Sequence, residues 1–147
     1  MENRKLVLKW MPGIILFVFA ALLMLSCANP ALKHLEQGNV YLDQEQWDEA
    51  IIEYTKAIEL DPNYALLYNN RGVSYTEKGE YDKAIADCSK AIELAPNYDK
   101  AYYNRGYAYS EKGELAKALS DLERCVELST DPELAEAAQQ LLNKLGK

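Results

Sequence analysis

The sequence contains few of the residues from which catalytic and metal sites are built. It has one histidine, His34, and three cysteines among 147 residues. One histidine cannot form a His-rich zinc site, and the sequence has no Cys-x2-Cys pair and no glycine-rich phosphate loop after a strand. We therefore expect no catalytic residues, no metal and no cofactor, and we do not expect an enzyme. We expect His34 to be a partly buried packing residue.

Basic residues are scarce relative to acidic ones. Sixteen lysines and arginines face 23 aspartates and glutamates, for a formal net charge of −7. Nucleic-acid-binding proteins carry a basic footprint, so this composition argues against a nucleic-acid partner. Residues 27–147 alone carry 13 basic and 22 acidic side chains, a net charge of −9. This negative charge repels acidic partners, but it does not identify the partner that binds.

Long apolar stretches are limited to one, at residues 13–25, which follows the basic residues Arg4, Lys5 and Lys9. Its length is that of a signal-peptide core and is short of the ~20 residues that a membrane-spanning helix needs. The basic start and the apolar run predict a signal peptide over residues 1–26.

The apolar run ends directly at the sequence Met24-Leu25-Ser26-Cys27. This resembles the lipobox of bacterial lipoproteins, in which a small residue precedes a cysteine that is lipidated and becomes the new N-terminus. The resemblance implies that Cys27 is lipidated and that residues 27–30 form a short tether to a membrane. Ala28 stands where an inner-membrane retention signal would show aspartate, which implies the outer membrane if the organism has one.

An uncleaved signal anchor is the alternative to a cleaved lipoprotein signal. Counting from Leu6 gives enough length to span a bilayer, with Lys9 reaching to the interface. Both arrangements place the rest of the chain on the extracytoplasmic face of a bacterial membrane, because the basic residues precede the apolar run.

The chain after the leader repeats itself every 34 residues. Residues 65–75 return as residues 99–109 with the pattern Tyr-x2-Arg-Gly-x2-Tyr, and residues 49–64 return as residues 83–98. This pattern resembles the tetratricopeptide repeat, in which each unit is a helix–turn–helix. In the middle copy, the residues that carry the resemblance are Tyr68, Gly72, Tyr75, Ala84, Cys88, Ala91 and Pro96.

The resemblance predicts an all-α fold, an α-solenoid of three tetratricopeptide repeats with a C-terminal capping helix. A lone hairpin cannot cover its own apolar face, so consecutive hairpins stack and a terminal helix closes the core. The predicted units are residues 31–64, 65–98, 99–131 and 132–147. Cys88 and Cys125 take positions that need an apolar group, and we expect them to be buried free thiols.

Glycines mark two kinds of position in this pattern. Gly38, Gly72 and Gly106 fall within helices, where glycine costs about 1 kcal/mol relative to alanine, so we expect close helix packing there. Gly79 and Gly113 mark tight turns with left-handed backbone. Glu45 replaces glycine in the first turn, which we therefore expect to be less tightly fixed.

Similar proteins line a concave groove with the first helix of each hairpin, and the resemblance places a partner-binding surface there. Asparagine amides can pair with an extended peptide, and tyrosines give flat contact area. The alternative is that these polar residues only wet an exposed face and bind each other. The predicted groove residues are Asn39, Asn69, Asn70, Val73, Lys100, Tyr103, Asn104 and Tyr107. Glu77 and Glu111 recur at equivalent positions, and we interpret them as solvated helix ends.

Some family members hold a peptide carboxylate in a clamp of lysine, arginine and asparagine. Asn39, Asn70 and Lys100 match that clamp, but Leu35 and Asn104 stand where its other two cations belong. Two lost cations leave weak capture of an anion, so we do not predict a carboxylate clamp.

These features together predict a membrane-tethered adaptor or scaffold of the bacterial cell envelope, which binds a protein or peptide in the groove. Similar lipoproteins are assembly or scaffolding factors of envelope machines. The alternative function is a self-oligomerising module without peptide binding.

Overall fold

The computed structural model describes residues 29–146, and the predicted signal peptide and Cys27 lie outside this part. The helical array belongs to one compact unit that begins at Ala31. Residues 29–146 form seven α-helices and no strand, which confirms the all-α solenoid. The helices are α1 (Pro30–Asp43), α2 (Trp47–Leu60), α3 (Ala65–Glu77), α4 (Tyr81–Leu94), α5 (Asp99–Glu111), α6 (Leu115–Leu128) and α7 (Pro132–Leu145).

The helices pair as hairpins α1–α2, α3–α4 and α5–α6, and the second helix of each hairpin packs on the next element of the chain. Thus α2 contacts α3, α4 contacts α5, and α6 contacts α7. Contacts between α3 and α5 place the first helices of neighbouring hairpins side by side on one face. The repeat pattern predicts the partner-binding groove on this face. None of the helices described is both long and apolar enough to cross a bilayer.

Close packing at the mid-helix glycines is confirmed. A Cβ atom at Gly38 would lie 2.6 Å from Cε1 of the buried Tyr54, and one at Gly72 would lie 2.8 Å from Sγ of Cys88. At Gly106 a Cβ atom would lie 3.0 Å from Cγ of Leu122. Cβ atoms in proteins do not approach other atoms as closely as the distances at Gly38 and Gly72 would require. These two positions therefore exclude larger residues.

The capping helix α7 closes the array with one apolar face. Ala138 packs with Leu122 and Cys125 of α6, and leucines of α7 surround this cluster. The carboxylate of Asp131 caps the helix, accepting from the backbone N–H of Glu133 at 3.0 Å and of Leu134 at 3.4 Å. The outward residues of α7 are exposed and polar: Glu133, Glu136, Gln139, Gln140, Asn143 and Lys144. A polar outer face is what a terminal repeat element requires.

The three hairpin turns share one backbone conformation. Gly79 has φ of 75° and Gly113 has φ of 77°, and Glu45 adopts φ of 58° at the same place. The first turn also keeps the hydrogen bond of the others: Gln46 N–H donates to Tyr41 O at 2.9 Å, as Glu80 N–H donates to Tyr75 O at 2.8 Å. Glu45 therefore does not change the turn but carries the cost of left-handed backbone, about 1–2 kcal/mol for a residue with a Cβ.

Replacing Glu45 by glycine is expected to raise the free energy of unfolding. The substitution removes the strain of the left-handed backbone, but glycine also raises the conformational entropy of the unfolded chain. The net increase in the free energy of unfolding is up to about 1 kcal/mol. Urea unfolding followed by far-ultraviolet circular dichroism measures the change. Gly79→Ala is the matched control and should lose a similar amount. A Glu45→Gly variant that is less stable than the wild type would contradict the assignment.

Candidate functional site: the concave groove

The predicted groove residues lie on the first helices of the three hairpins. Asn39 is on α1, Val73 is on α3 with two of the asparagines, and the remaining four are on α5. Asn69 is buried, Tyr107 and Lys100 are exposed, and the others are partly exposed. The structure therefore places these residues along neighbouring helices, but they do not share one role.

Four asparagines form a continuous chain of hydrogen bonds from α1 to α5. Asn70 Nδ2 donates to Asn39 Oδ1 at 3.0 Å, and Asn69 Nδ2 donates to Asn70 Oδ1 at 3.2 Å. Asn104 Nδ2 donates to Asn69 Oδ1 at 2.9 Å. The phenol of Tyr54 also donates to Asn39 Oδ1, at 2.8 Å.

These amides connect the inner helices to one another. Burial raises the pKa of Tyr54 to about 12, against an opposing hydrogen bond from Asn70, so its phenol remains a donor. Asn69 is 4% exposed and cannot reach a partner without breaking the chain of amides. Part of the hydrogen-bonding capacity predicted for a peptide is thus used within the protein, as in the alternative interpretation of these residues.

A cavity of about 180 Å³ opens between α3 and α5 on the groove face. Its lining residues are Val73, Thr76, Glu77, Tyr103, Asn104 and Tyr107. Four of the eight predicted groove residues therefore meet here, while the asparagines of α1 and α3 and Lys100 lie outside it. Glu77 is exposed at the end of α3, as we interpreted it, and also borders this cavity.

The carboxylates near Tyr107 make the surroundings of this cavity negatively charged. Burial raises the pKa of Tyr107, and the carboxylates of Glu111 and Glu77 raise it further. Tyr81 Oη lies 3.4 Å from Glu111 Oε2 and donates to it. The groove next to the cavity is therefore aromatic and negatively charged.

Other depressions on residues 29–146 lie outside the groove and are lined by charged side chains that pair with each other. One of about 290 Å³ borders the turn before α4, where Lys112 pairs with Asp82 at 2.5 Å. Another, of about 390 Å³, is lined by Arg105 and Asp121, which also form an ion pair. Because their charges are already paired, these depressions are weaker candidates for a site.

Two mostly buried ion pairs that were not predicted from the sequence each join neighbouring helices. Arg71 binds Asp87 with two hydrogen bonds, Nε to Oδ2 at 2.7 Å and Nη2 to Oδ1 at 2.8 Å, and donates from Nη1 to Thr55 Oγ1 at 3.0 Å. Arg105 repeats the arrangement with Asp121 at 2.7 and 2.8 Å. The signal was in the sequence, since both arginines precede their aspartates by 16 residues.

These ion pairs bear on the carboxylate clamp. Arg105 is paired with Asp121, and Leu35 is 7% exposed in the core, so neither supplies a cation to the groove. Lys100 is the one clamp cation that the sequence retains.

The remaining reactive groups are buried or paired. Cys88 and Cys125 are buried free thiols, as predicted, and burial raises the pKa of Cys88 to about 12 and that of Cys125 to about 11. His34 Nδ1 lies 2.6 Å from Glu53 Oε2. Hydrogen bonds from Lys56 and from His34 hold the pKa of Glu53 below its usual value. Within the part of the chain that the structure describes, no group of three His, Cys, Asp or Glu side chains is placed to hold a metal ion.

The stacked hairpins and their concave face define a helical-repeat protein. Family models for the tetratricopeptide repeat match residues 65–98 and 88–120, and a model described as TPR repeat matches residues 38–77. The chain belongs to the tetratricopeptide repeat family. The comparison with curated proteins gave no match.

Solved structures of similar proteins include domains bound to peptides. The first TPR of Spaghetti (RPAP3), bound to the HSP90 peptide SRMEEVD, is 35% identical with a TM-score of 0.76, over 81% of this chain and 92% of that one. The first TPR domain of human RPAP3 is 36% identical with a TM-score of 0.75, over 80% and 90%. The TPR2B domain of yeast Sti1, in complex with an Hsp70 peptide, is 30% identical with a TM-score of 0.77, over 81% and 98%.

Proposed function

We propose that this protein is a membrane-tethered interaction adaptor or scaffold of the bacterial cell envelope, which binds a segment of a partner protein in its concave groove. The observation that carries the proposal is the cavity between α3 and α5, lined by Val73, Tyr103, Asn104 and Tyr107. It lies between the first helices of two hairpins in a fold whose similar structures include peptide complexes. Tyrosine is enriched among the residues that dominate binding energy at interfaces, which supports a role for this wall.

The groove is tested by crosslinked pull-down from membranes with a Val73→Ala/Tyr107→Ala variant. Both side chains line the cavity, and neither takes part in the asparagine chain, so the fold is expected to persist. We expect loss of the captured partner relative to the wild type. Leu115→Ala removes an exposed apolar side chain of α6 outside the cavity, 47% exposed, and should retain the partner. Retention of every partner by the double variant would refute the groove proposal.

The tether rests on the sequence at Cys27. We propose that its lipid groups hold the repeats at the extracytoplasmic face, in the outer membrane if the organism has one. Metabolic labelling with palmitate should mark the wild type and not Cys27→Ala, and globomycin should block signal-peptide cleavage. Absence of label from a membrane-bound wild type would favour the uncleaved anchor instead. Cys88 and Cys125 serve as internal comparison thiols, because both are buried.

Self-association is the second candidate, and the first hairpin favours it. Four of the six large apolar side chains that are exposed in residues 29–146 lie there: Leu32, Val40, Ile52 and Leu60. A second copy packing on this hairpin would cover them. Native mass spectrometry of the wild type against Leu32→Ser/Val40→Ser tests this, and a wild type that remains monomeric excludes it.

A further inference from the structure

The cavity between α3 and α5 has the size of one side chain. Its volume of about 180 Å³ is below the ≈ 300–1,000 Å³ of small-molecule sites, so it suits a single residue of a partner better than a metabolite. Val73, Tyr103 and Tyr107 supply apolar and aromatic wall. A side chain that fills it must therefore offer an apolar stem.

The polar groups of the cavity include acceptors as well as the hydroxyl donors of Tyr103 and Tyr107. Asn104 donates one Nδ2 hydrogen to Asn69 and can still accept at its carbonyl oxygen, and Thr76 donates its hydroxyl to the carbonyl of Gly72. Glu77 adds a carboxylate, and among residues 29–146 it forms no ion pair. The lining therefore carries one negative charge and no cation, which favours a positively charged occupant.

A second carboxylate and two helix ends extend this negative charge. Glu77 ends α3 and Glu111 ends α5, and neither helix has a basic residue in its last turn. The C-terminus of a helix carries partial negative charge, which these carboxylates increase. The lysines that directly follow these glutamates are bound elsewhere: Lys78 pairs with Asp48 and Glu80, and Lys112 pairs with Asp82 and Glu114. Lys100 lies one helical turn before Asn104 on α5, outside the cavity lining.

We infer that the cavity binds a lysine or arginine side chain of the partner segment, its stem against Val73 and the tyrosine rings and its charge facing Glu77 and Glu111. The inference rests on the proposed groove function and names the partner's chemistry. A cation near tyrosine rings is attracted by their negative faces, and the exposed carboxylates of Glu77 and Glu111 add an attraction that salt screens. An acidic segment, such as the SRMEEVD peptide of the similar structure, would be repelled here.

Three fluorescent peptide pools test this on the full chain in detergent. They share randomised flanks and differ only at the central residue, which is lysine, acetyl-lysine or glutamate. Acetylation keeps the stem and removes the charge. By fluorescence polarisation we expect the lysine pool to bind about tenfold tighter than the other two, and less tightly at high salt. Equal affinity of the lysine and acetyl-lysine pools overturns the inference.

Charge-matched variants locate the effect. Glu77→Gln/Glu111→Gln should abolish most of the tenfold preference for the lysine pool. Glu133→Gln/Glu136→Gln removes the same charge from the exposed outer face of α7 and should retain the preference. A preference that survives in the first variant, or is lost equally in both, overturns the inference.

The outcomes also separate this inference from the groove proposal. Suppose that the pools bind without preference for lysine and that Val73→Ala/Tyr107→Ala weakens their binding. The inference of a basic side chain is then wrong, and the groove proposal is retained. If no pool binds and the pull-down captures no partner, both are wrong.

Discussion

Replacing Asp87 by alanine is expected to lower the free energy of unfolding by about 3 kcal/mol, near the low end of the range for breaking a buried ion pair. The side chains are mostly buried, Arg71 being 17% and Asp87 10% exposed, so the guanidinium would lose its carboxylate without full access to water. The hydrogen bonds of Asp87 raise the pKa of Arg71, so the arginine stays charged and its unpaired charge is the penalty.

The loss should extend beyond one hairpin, because Arg71 of α3 also donates to Thr55 of α2. Urea unfolding followed by circular dichroism measures it. Arg71→Met/Asp87→Leu should recover most of the stability, since an apolar pair leaves no uncompensated charge. Glu127→Ala is the exposed control, because it breaks the ion pair between Glu127, 66% exposed, and Arg124, 44% exposed. This change should lower the free energy of unfolding by at most about 0.5 kcal/mol. Equal losses for Asp87→Ala and Glu127→Ala would show that the Arg71–Asp87 pair does not stabilise the stack.

Replacing Gly38 by alanine is expected to destabilise the first hairpin by up to about 2 kcal/mol. Overpacking costs about 1–3 kcal/mol, and the better helix propensity of alanine returns about 1 kcal/mol. The new methyl would lie 2.6 Å from Cε1 and 2.8 Å from Cδ1 of Tyr54. That ring is fully buried, and its hydroxyl is bonded to Asn39, so it cannot move aside without breaking a second contact.

A double-mutant cycle distinguishes this steric cause from a general effect on α1. Gly38→Ala/Tyr54→Leu should lose less stability than the sum of the two single variants, because the smaller side chain makes room for the methyl. Ser120→Ala, at an exposed position of α6, is the control and should be neutral or slightly stabilising. Additive losses in the cycle would mean that the glycine is not needed for close packing.

Much of the fold could be predicted because its determinants are local and repeated. Two of the predicted repeat units start where helices begin: α3 begins at Ala65 and α5 at Asp99, each directly after a tyrosine at the cap position. Glycine at a left-handed turn and glycine facing a partner helix are each recognisable from the 34-residue register. The closing helix was recognisable from its apolar stripe.

The roles of the polar residues were harder to predict. We expected four asparagines to face a partner, with bonding to each other as the alternative. They bond to each other, twice across helices and once between neighbours on α3. Arg105, next to the clamp position at Asn104, is held by Asp121. Glu77 is the solvated helix end that we expected, and it also borders the cavity. In each case the sequence placed the residue on the correct helix, but it did not show which residues of other helices the side chain contacts.

The sequence by itself determined the number of hairpins, their boundaries, the close contacts at glycine and the acidic, cysteine-poor character of the chain, because these depend on composition and on spacing within a repeat. Only the tertiary structure decided which inward side chains are used to join the repeats and which face the cavity. The deciding hydrogen bonds join residues 31 and 35 positions apart, and their formation depends on the rotation of one hairpin against the next. That rotation is set by packing over the whole stack, which no single repeat encodes.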